Sequence, residues 1–276
     1  HWVMDYETMA NLFVGVFESY NSEETKVFTI HSSICNDIKP LIKFLQRNKS
    51  LKEKHISFNG ISFDSQITEF ILKNQTKLLK MDAHDIVDAI YAEAQETISR
   101  SNAREFSKYP EWKLSIEQID VFKINHWDNV NRRTSLKWAQ FAMDWPYLQD
   151  MPIHHAEKVH TEEEILMIAK YCINDVRSTK KILHLSKPLI AVRQQIKEKY
   201  GLECYNYSNT KIGSQLLLGL YCEATDQKKY DVKDLRTYRN GIKIKDILFD
   251  YISFKTPPFQ QFLKKVEDKT IYNTKS

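Results

Sequence analysis

Hydrophobic and polar positions begin to alternate at the first residues. HWVMDYET reads as a strand. NLFVGVFES reads as a second, with Leu12, Val14 and Val16 on one face and Phe13 and Phe17 on the other. KVFTIH is a third short strand, and three strands so close together predict an antiparallel meander. The period then changes. NDIKPLIKFLQRN sets Ile38, Leu41, Ile42 and Leu45 at helical spacing, with Asn36 or Asp37 as the N-cap. KHISFNG returns to a strand ending at a glycine turn, and SFDSQITEFILKN restores the helical period through Phe63, Ile67, Phe70 and Ile71. Strands first, then alternating strands and helices, predict a mixed sheet with helices packed on it.

DAHDIVDAIYAEAQETISR is an amphipathic helix and SNAREFSKYPEW a surface loop. EQIDVFKINHW reads as a strand followed by a polar turn, SLKWAQFAMDW as a short helix, and DWPYLQDMPIHH as irregular because of its two prolines. TEEEILMIAKYCINDVRSTKKILHL is the strongest helix, with Thr161 as N-cap, three glutamates at the positive end of its dipole and lysines near the other end. Pro188 interrupts the next helical run and marks a boundary: a first domain over 1–188 and an α+β extension over 189–276. The extension reads as a basic helix (AVRQQIKEKYG), an apolar helix (KIGSQLLLGLY) and short strands within GIKIKDILFDYISF. The runs KPLIKFLQRNKSLKEK and VRQQIKEKY read as solvated helix faces, with the tracking of phosphates as the alternative for either.

Composition narrows the class. The chain has 276 residues, 42% hydrophobic and 28% charged, with only 6 glycines, so it affords a packed core. A net charge of +4 is compatible with a polyanionic partner. The cysteines Cys35, Cys172, Cys204 and Cys222 are scattered without a C-x-x-C pair, which predicts reduced thiols of an intracellular protein rather than a disulfide frame or a zinc site. No apolar run reaches the ~18–20 residues that cross a bilayer. The first residue is His1, consistent with a natural start upstream.

Acids at particular places carry the chemistry. Asp5 and Glu7 lie on one side of the first strand, and two carboxylates so placed repel unless a cation sits between them. Asp64 follows a strand and a turn at a helix start, where the dipole alone favours an acid. Tyr171 and Asp175 are four apart on one helix and share a face. Four acids on three elements that converge at one sheet edge need cations, and hard oxygen ligands select Mg²⁺ or Mn²⁺.

The ordered set D-x-E (Asp5, Glu7), N-x-x-x-F-D (Asn59, Phe63, Asp64) and Y-x-x-x-D (Tyr171, Asp175) resembles the three exonuclease motifs of the DEDD superfamily in its tyrosine subtype. Within it, residues 2–185 or so resemble the proofreading 3′–5′ exonuclease domain of a phage-type family B DNA polymerase. Ser135 and Leu136 match the single-strand-binding Ser/Thr-Leu motif of such domains. The resemblance implies an RNase H-like (DnaQ-like) α/β fold, two Mg²⁺ or Mn²⁺ ions, and hydrolysis at the 3′ end of single-stranded DNA. It implies that Asp5 bridges both ions, that Glu7 and Asp175 serve the ion that activates water, and that Asp64 acts through outer or second-ion contacts. Tyr171 would orient the water or the phosphate; Asn59, Phe63, Ser135 and Leu136 would contact the unpaired end. Met9 and Phe13 read as core. The histidines His154 and His155 lack a metal-ligand frame, and Asp128, Asp144 and Asp150 read as turn acids.

Two other readings compete: a stand-alone DEDD nuclease acting on DNA or RNA, and a silent RNase H-like module that only binds. No palm-type polymerase motif is present, while 189–276 resembles the segment leading to a polymerase palm, which implies a polymerase region in the same full-length chain. No membrane partner is expected, and a phage-encoded protein would act in the host cytoplasm.

Overall fold

β1 (Trp2–Met9), β2 (Leu12–Ser19) and β3 (Thr25–His31) form the expected antiparallel meander. β4 (His55–Ser57) pairs with β1 in parallel and β5 (Gln118–Asp120) with β4, giving a mixed five-stranded sheet in the order β3-β2-β1-β4-β5. This computed structural model describes residues 1–129, 131, 134–233, 235 and 239–272. The chain divides into two units, His1–Leu216 and Leu217–Ser276.

Both faces of the sheet are covered, which is why β2 is buried almost throughout despite its alternation. Met4, Tyr6, Phe13 and Phe17 face α1 (Ile38–Ser50), α2 (Asp64–Leu78) and α3 (Ala83–Asn102). Phe17 packs against Phe44 and His55 with ring centroids at 4.8 and 5.4 Å. Such aromatic pairs contribute about 0.5–1.5 kcal/mol each beyond area burial. Gly15 sits opposite Tyr6, and a Cβ there would lie 3.0 Å from the tyrosine ring, tight enough that the ring would have to give by a few tenths of an ångström. Met9 and Phe13 are core residues, as expected.

The other face carries Val3, Met9, Leu12, Val14 and Val16 against α6 (Glu162–Leu185), with α4 (Val121–Ile124) and α5 (Leu136–Ala142) beside it. Thr161 and Glu164 close a capping box on α6, worth about 1 kcal/mol. At α1 the N-cap position falls on Asp37, one of the two residues expected there, but the side-chain bond comes from the other. Asn36 accepts the Ile38 N–H at 3.1 Å, while the Asp37 carboxylate turns away to accept Thr29 N–H at 2.9 Å. The strand read from EQIDVFKINHW is only three residues long. The Asp120 carboxylate accepts Phe122 N–H at 3.0 Å, capping α4 and ending β5.

Pro188 begins a helix rather than separating two bodies. It lies in the first turn of α7 (Lys187–Tyr200), where its missing N–H costs nothing. The first unit therefore reaches past 188. Arg193 corrects the solvated reading of VRQQIKEKY: it is buried, and its guanidinium donates to the carbonyls of Leu189, at 2.9 Å, and Tyr207, at 3.0 Å. Asn206 then extends the sheet edge, accepting Asp120 N–H and donating to Gln118 O, both at 2.8 Å.

α8 (Asn209–Thr225) crosses the division between the units. The second unit carries α9 (Lys229–Lys233), α10 (Pro257–Glu267) and a two-stranded pair, β6 (Ile242–Lys243) with β7 (Thr270–Ile271). The strands read across GIKIKDILFDYISF shrink to β6, because among the described residues only Thr270–Ile271 pairs with that stretch; a 3₁₀ turn follows at Ile244–Asp246. None of the described residues of this unit is buried. Among the described residues, no helix is long and apolar enough to cross a membrane.

Candidate metal centre

Strand β1 outlasts its neighbour. β4 pairs only with Trp2 and Val3, so on that side the backbone of β1 beyond Val3 has no strand partner among the described residues. Asp64, at the start of α2, fills the gap: its Oδ1 accepts Tyr6 N–H at 3.0 Å. A buried backbone donor is thereby satisfied by a side chain where the ladder stops. The location follows a general rule for open sheets with parallel strands, whose sites lie beyond the carboxyl ends of those strands.

Asp5 and Glu7 project from β1 toward α6, which brings Asp175 and Tyr171 to meet them. One carboxylate oxygen from each of Asp5, Glu7 and Asp175 lies within 4.8 Å of the other two. Among the described residues, no other group of three acids, histidines or cysteines comes together in this way. Asp64 is buried and adjoining but outside this trio, since its carboxylate is engaged by the β1 backbone. Tyr171 is also buried and hydrogen-bonds Asp175.

The electrostatics are those of crowded anions. Burial pushes Asp5 well above the ordinary carboxylate range, and the charges of Asp64, Glu7 and Asp175 push it further. Glu7 is raised to about 8, first by burial and then by Asp175 and Asp64; Lys137 opposes the rise. Asp64 is raised to about 7 by burial, against the pull of the Tyr6 N–H. Burial also raises Asp175, while Gln140, Tyr171 and Lys137 hold it down. The Tyr171 phenol is driven above its ordinary value by burial and by Asp175 and Glu7, so it stays protonated and serves as a donor. Cys172, whose thiol lies 3.7 Å from Asp5 Oδ2, is likewise pushed up by burial and by the acids and stays a thiol.

A divalent cation fits this donor set. Three hard oxygen ligands from three side chains converge in a site deficient in positive charge. Asp5, Glu7 and Asp175 could hold such an ion.

Asn59 and Phe63 lie in the loop between β4 and Asp64. Asn59 adopts φ 62°, a left-handed conformation that asparagine tolerates well. Ser135 caps α5, accepting Trp138 N–H at 3.2 Å, and Leu136 packs on the second core. The acids Asp144 and Asp150 are exposed loop residues, and the His154 and His155 rings lie tilted against each other, centroids 4.1 Å apart, in an exposed loop.

Three supporting residues were not singled out from sequence. Gln140 is buried and donates to Asp175 Oδ1 and to Ser178 Oγ, both at 2.8 Å. Its signal was a polar residue on the apolar stripe Leu136-Ala139-Met143. Asp120 is fully buried and accepts the Asn59 N–H at 2.8 Å and the Ile61 N–H at 3.3 Å, so it shapes the loop before Asp64. An acid closing an apolar strand was its signal. Lys137 is the cation whose charge reaches Glu7 and Asp175, while its Nζ bonds Asp150 at 2.6 Å. Nothing in the sequence around it foretold that reach.

No protein-family model matches the chain, and no curated protein matches it in sequence.

Proposed function

We propose that the first unit is a DEDD 3′–5′ exonuclease of the tyrosine subtype, hydrolysing the 3′-terminal phosphodiester of single-stranded DNA with two Mg²⁺ or Mn²⁺ ions. In this reading it is the proofreading domain of a phage-type family B DNA polymerase. The observation that carries the proposal is the meeting of Asp5, Glu7 and Asp175 within 4.8 Å, from elements 170 residues apart in their numbering at the extremes (5 to 175), with Asp64 and Tyr171 alongside. The mixed five-stranded sheet flanked by helices is compatible with the RNase H-like fold that the motif order implies.

Asp5, Glu7 and Asp175 would hold one ion, and Asp5 with Asp64 nearby the second. When bound, the ions supply the charge that ionises water at neutral pH and offsets the phosphate. The chain's own groups do the rest. β1 and α6 fix the carboxylates from opposite sides. Gln140 locks the orientation of Asp175, as partners behind ligating carboxylates generally do. Tyr171, kept protonated, donates to the attacking water or to a phosphate oxygen and so orients it. Asn59 and Phe63 offer an amide and a ring to the unpaired terminal nucleotide.

The test is release of mononucleotides from a 3′-labelled single strand in Mn²⁺, run beside an RNA strand of the same sequence. The expected result is metal-dependent release, faster from DNA, abolished in Asp5→Ala/Glu7→Ala. Undiminished release from that variant refutes the nuclease; faster release from RNA keeps the chemistry and removes the polymerase context.

A further inference from the structure

We propose that Gln66 on α2 is a positioning residue: it ties the loop that carries Asn59 and Phe63 to the segment following α3, and so sets where a terminal nucleotide is received. This rests on the exonuclease reading and extends it to a side chain outside the matched motifs.

Gln66 is 1% exposed, and its amide makes three hydrogen bonds, all to backbone. Nε2 donates to Ile61 O and to Tyr109 O, both at 3.0 Å, and Oε1 accepts Tyr109 N–H at 2.9 Å. A buried amide costs free energy unless it is bonded, and an apolar side chain would fill the same space without that cost. What distinguishes glutamine here is the two stretches of chain that it joins.

Tyr109 is held in place without Gln66. On one side of it, Lys108 Nζ bonds Glu93 at 2.7 Å and Glu96 at 2.9 Å. On the other, Ser115 donates to Glu69 through its N–H at 2.7 Å and its Oγ at 3.2 Å. Glu69 lies three residues beyond Gln66 on the same side of α2. A segment fastened at both ends is a fixed post, and the bond from Gln66 to Ile61 O joins the loop to it.

Ile61 is the middle of that loop. Its N–H donates to Asp120 Oδ2 at 3.3 Å, and its carbonyl also accepts Ser65 Oγ at 3.0 Å. Two turns carry its position to the residues on either side: Ser62 N–H donates to Asn59 O at 3.1 Å, and Phe63 N–H to Gly60 O at 3.2 Å. A cavity of about 160 Å³ lies beside Ser62 and Gln66, with Thr97, Arg100 and Lys108 also in its wall. Packing leaves this side of the loop open, so hydrogen bonds must hold it. The amide of Gln66 touches none of Asp5, Glu7 and Asp175, so its loss should alter how the unpaired end is received and leave the ion site intact.

The test compares the wild type with Gln66→Met, which keeps the length of the side chain and removes all three bonds. Gln66→Glu is a second variant: its carboxylate still accepts Tyr109 N–H and cannot donate to Ile61 O. Ile71→Val, in the apolar core of the same helix, is the control for lost stability. Cleavage of a thymidine octanucleotide in Mn²⁺ gives KM and kcat, calorimetric titration gives Mn²⁺ affinity, and hydrogen exchange of residues 58–63 is read by mass spectrometry in EDTA. One hydrogen bond is worth about 1 kcal/mol net, so each Gln66 variant should raise KM about fivefold. Its kcat and Mn²⁺ affinity should stay within about twofold, exchange of the loop should quicken about fivefold or more, and Ile71→Val should change none of these. An unchanged KM in a folded Gln66 variant overturns the proposal. So does an equal rise in KM in Ile71→Val, which marks general loosening, and so does weakened Mn²⁺ binding, which marks damage carried through Asp64. If the wild type releases no nucleotide, the exonuclease reading fails by itself. Exchange still decides the hold on the loop: faster exchange in the Gln66 variants alone supports it, and unchanged exchange overturns it.

Discussion

Replacing Glu7 by glutamine should stabilise the ion-free protein while abolishing cleavage. Glu7 is raised from 4.5 to about 8 in the folded protein, because burial and the facing acids penalise its charge. Between those two values the native state holds a proton that the unfolded chain has released, so native stability falls as pH rises through that window. A gap of this size corresponds to about 5 kcal/mol when both states are fully ionised, at about 1.4 kcal/mol per pH unit. At pH 8 the folded carboxyl is only half ionised and its neighbours share the repulsion, which leaves about 2–4 kcal/mol. Glutamine keeps the shape and removes the charge. For a unit of this size the gain is an increase of roughly 5–15 °C in Tm at pH 8. Thermal unfolding followed by circular dichroism in EDTA, from pH 4 to 8.5, reads it directly. The difference between Glu7→Gln and wild type should vanish near pH 4 and grow toward pH 8, and Mn²⁺ should raise the wild-type Tm more than that of the variant. A variant no more stable than wild type at pH 8, or a difference that ignores pH, would refute the argument that these carboxylates are crowded and short of positive charge.

Two further substitutions probe the frame behind the acids. A Cβ at Gly60 would lie 1.9 Å from Ser57 Oγ and 3.2 Å from Asp64 Oδ2. Gly60→Ala should therefore cost about 1–3 kcal/mol in urea denaturation and displace Asp64, and adding Ser57→Gly should recover most of that stability. Asp120→Asn keeps one acceptor for the three N–H groups of Asn59, Ile61 and Phe122 but sets an amide NH₂ against another. It should cost about 1–3 kcal/mol and raise KM for a single strand more than it lowers kcat; an unchanged KM with intact stability would show that the loop does not depend on this carboxylate.

Periodicity carried most of the architecture of the first unit. Period two located the meander, and the phase of β2 assigned Val14 and Val16 to one core and Phe13 and Phe17 to the other, as the structure has them. The capping pattern at Thr161 located α6 to the residue. These features are local: side-chain direction and cap chemistry are set within a few residues, so the chain displays them before it folds. The second unit was less legible, because the apolar run Ile247–Phe254 satisfies strand propensity but has no strand to pair with among the described residues, and pairing is a property of two segments.

The acids divide along the same line. Asp5 and Glu7 shared a face by strand geometry, and Tyr171 and Asp175 by helix geometry, each readable alone. Only the tertiary structure set α6 over β1, brought Asp175 to within 4.8 Å of the first pair and tied Asp64 to the Tyr6 backbone. Gln140, Asp120 and Lys137 acquired their roles only then, and Arg193, polar by composition, became a core residue through the carbonyls of the chain folded around it. The reason is physical. Burial and electrostatic coupling depend on distances across the fold, and those distances arise from packing between segments that no local pattern encodes.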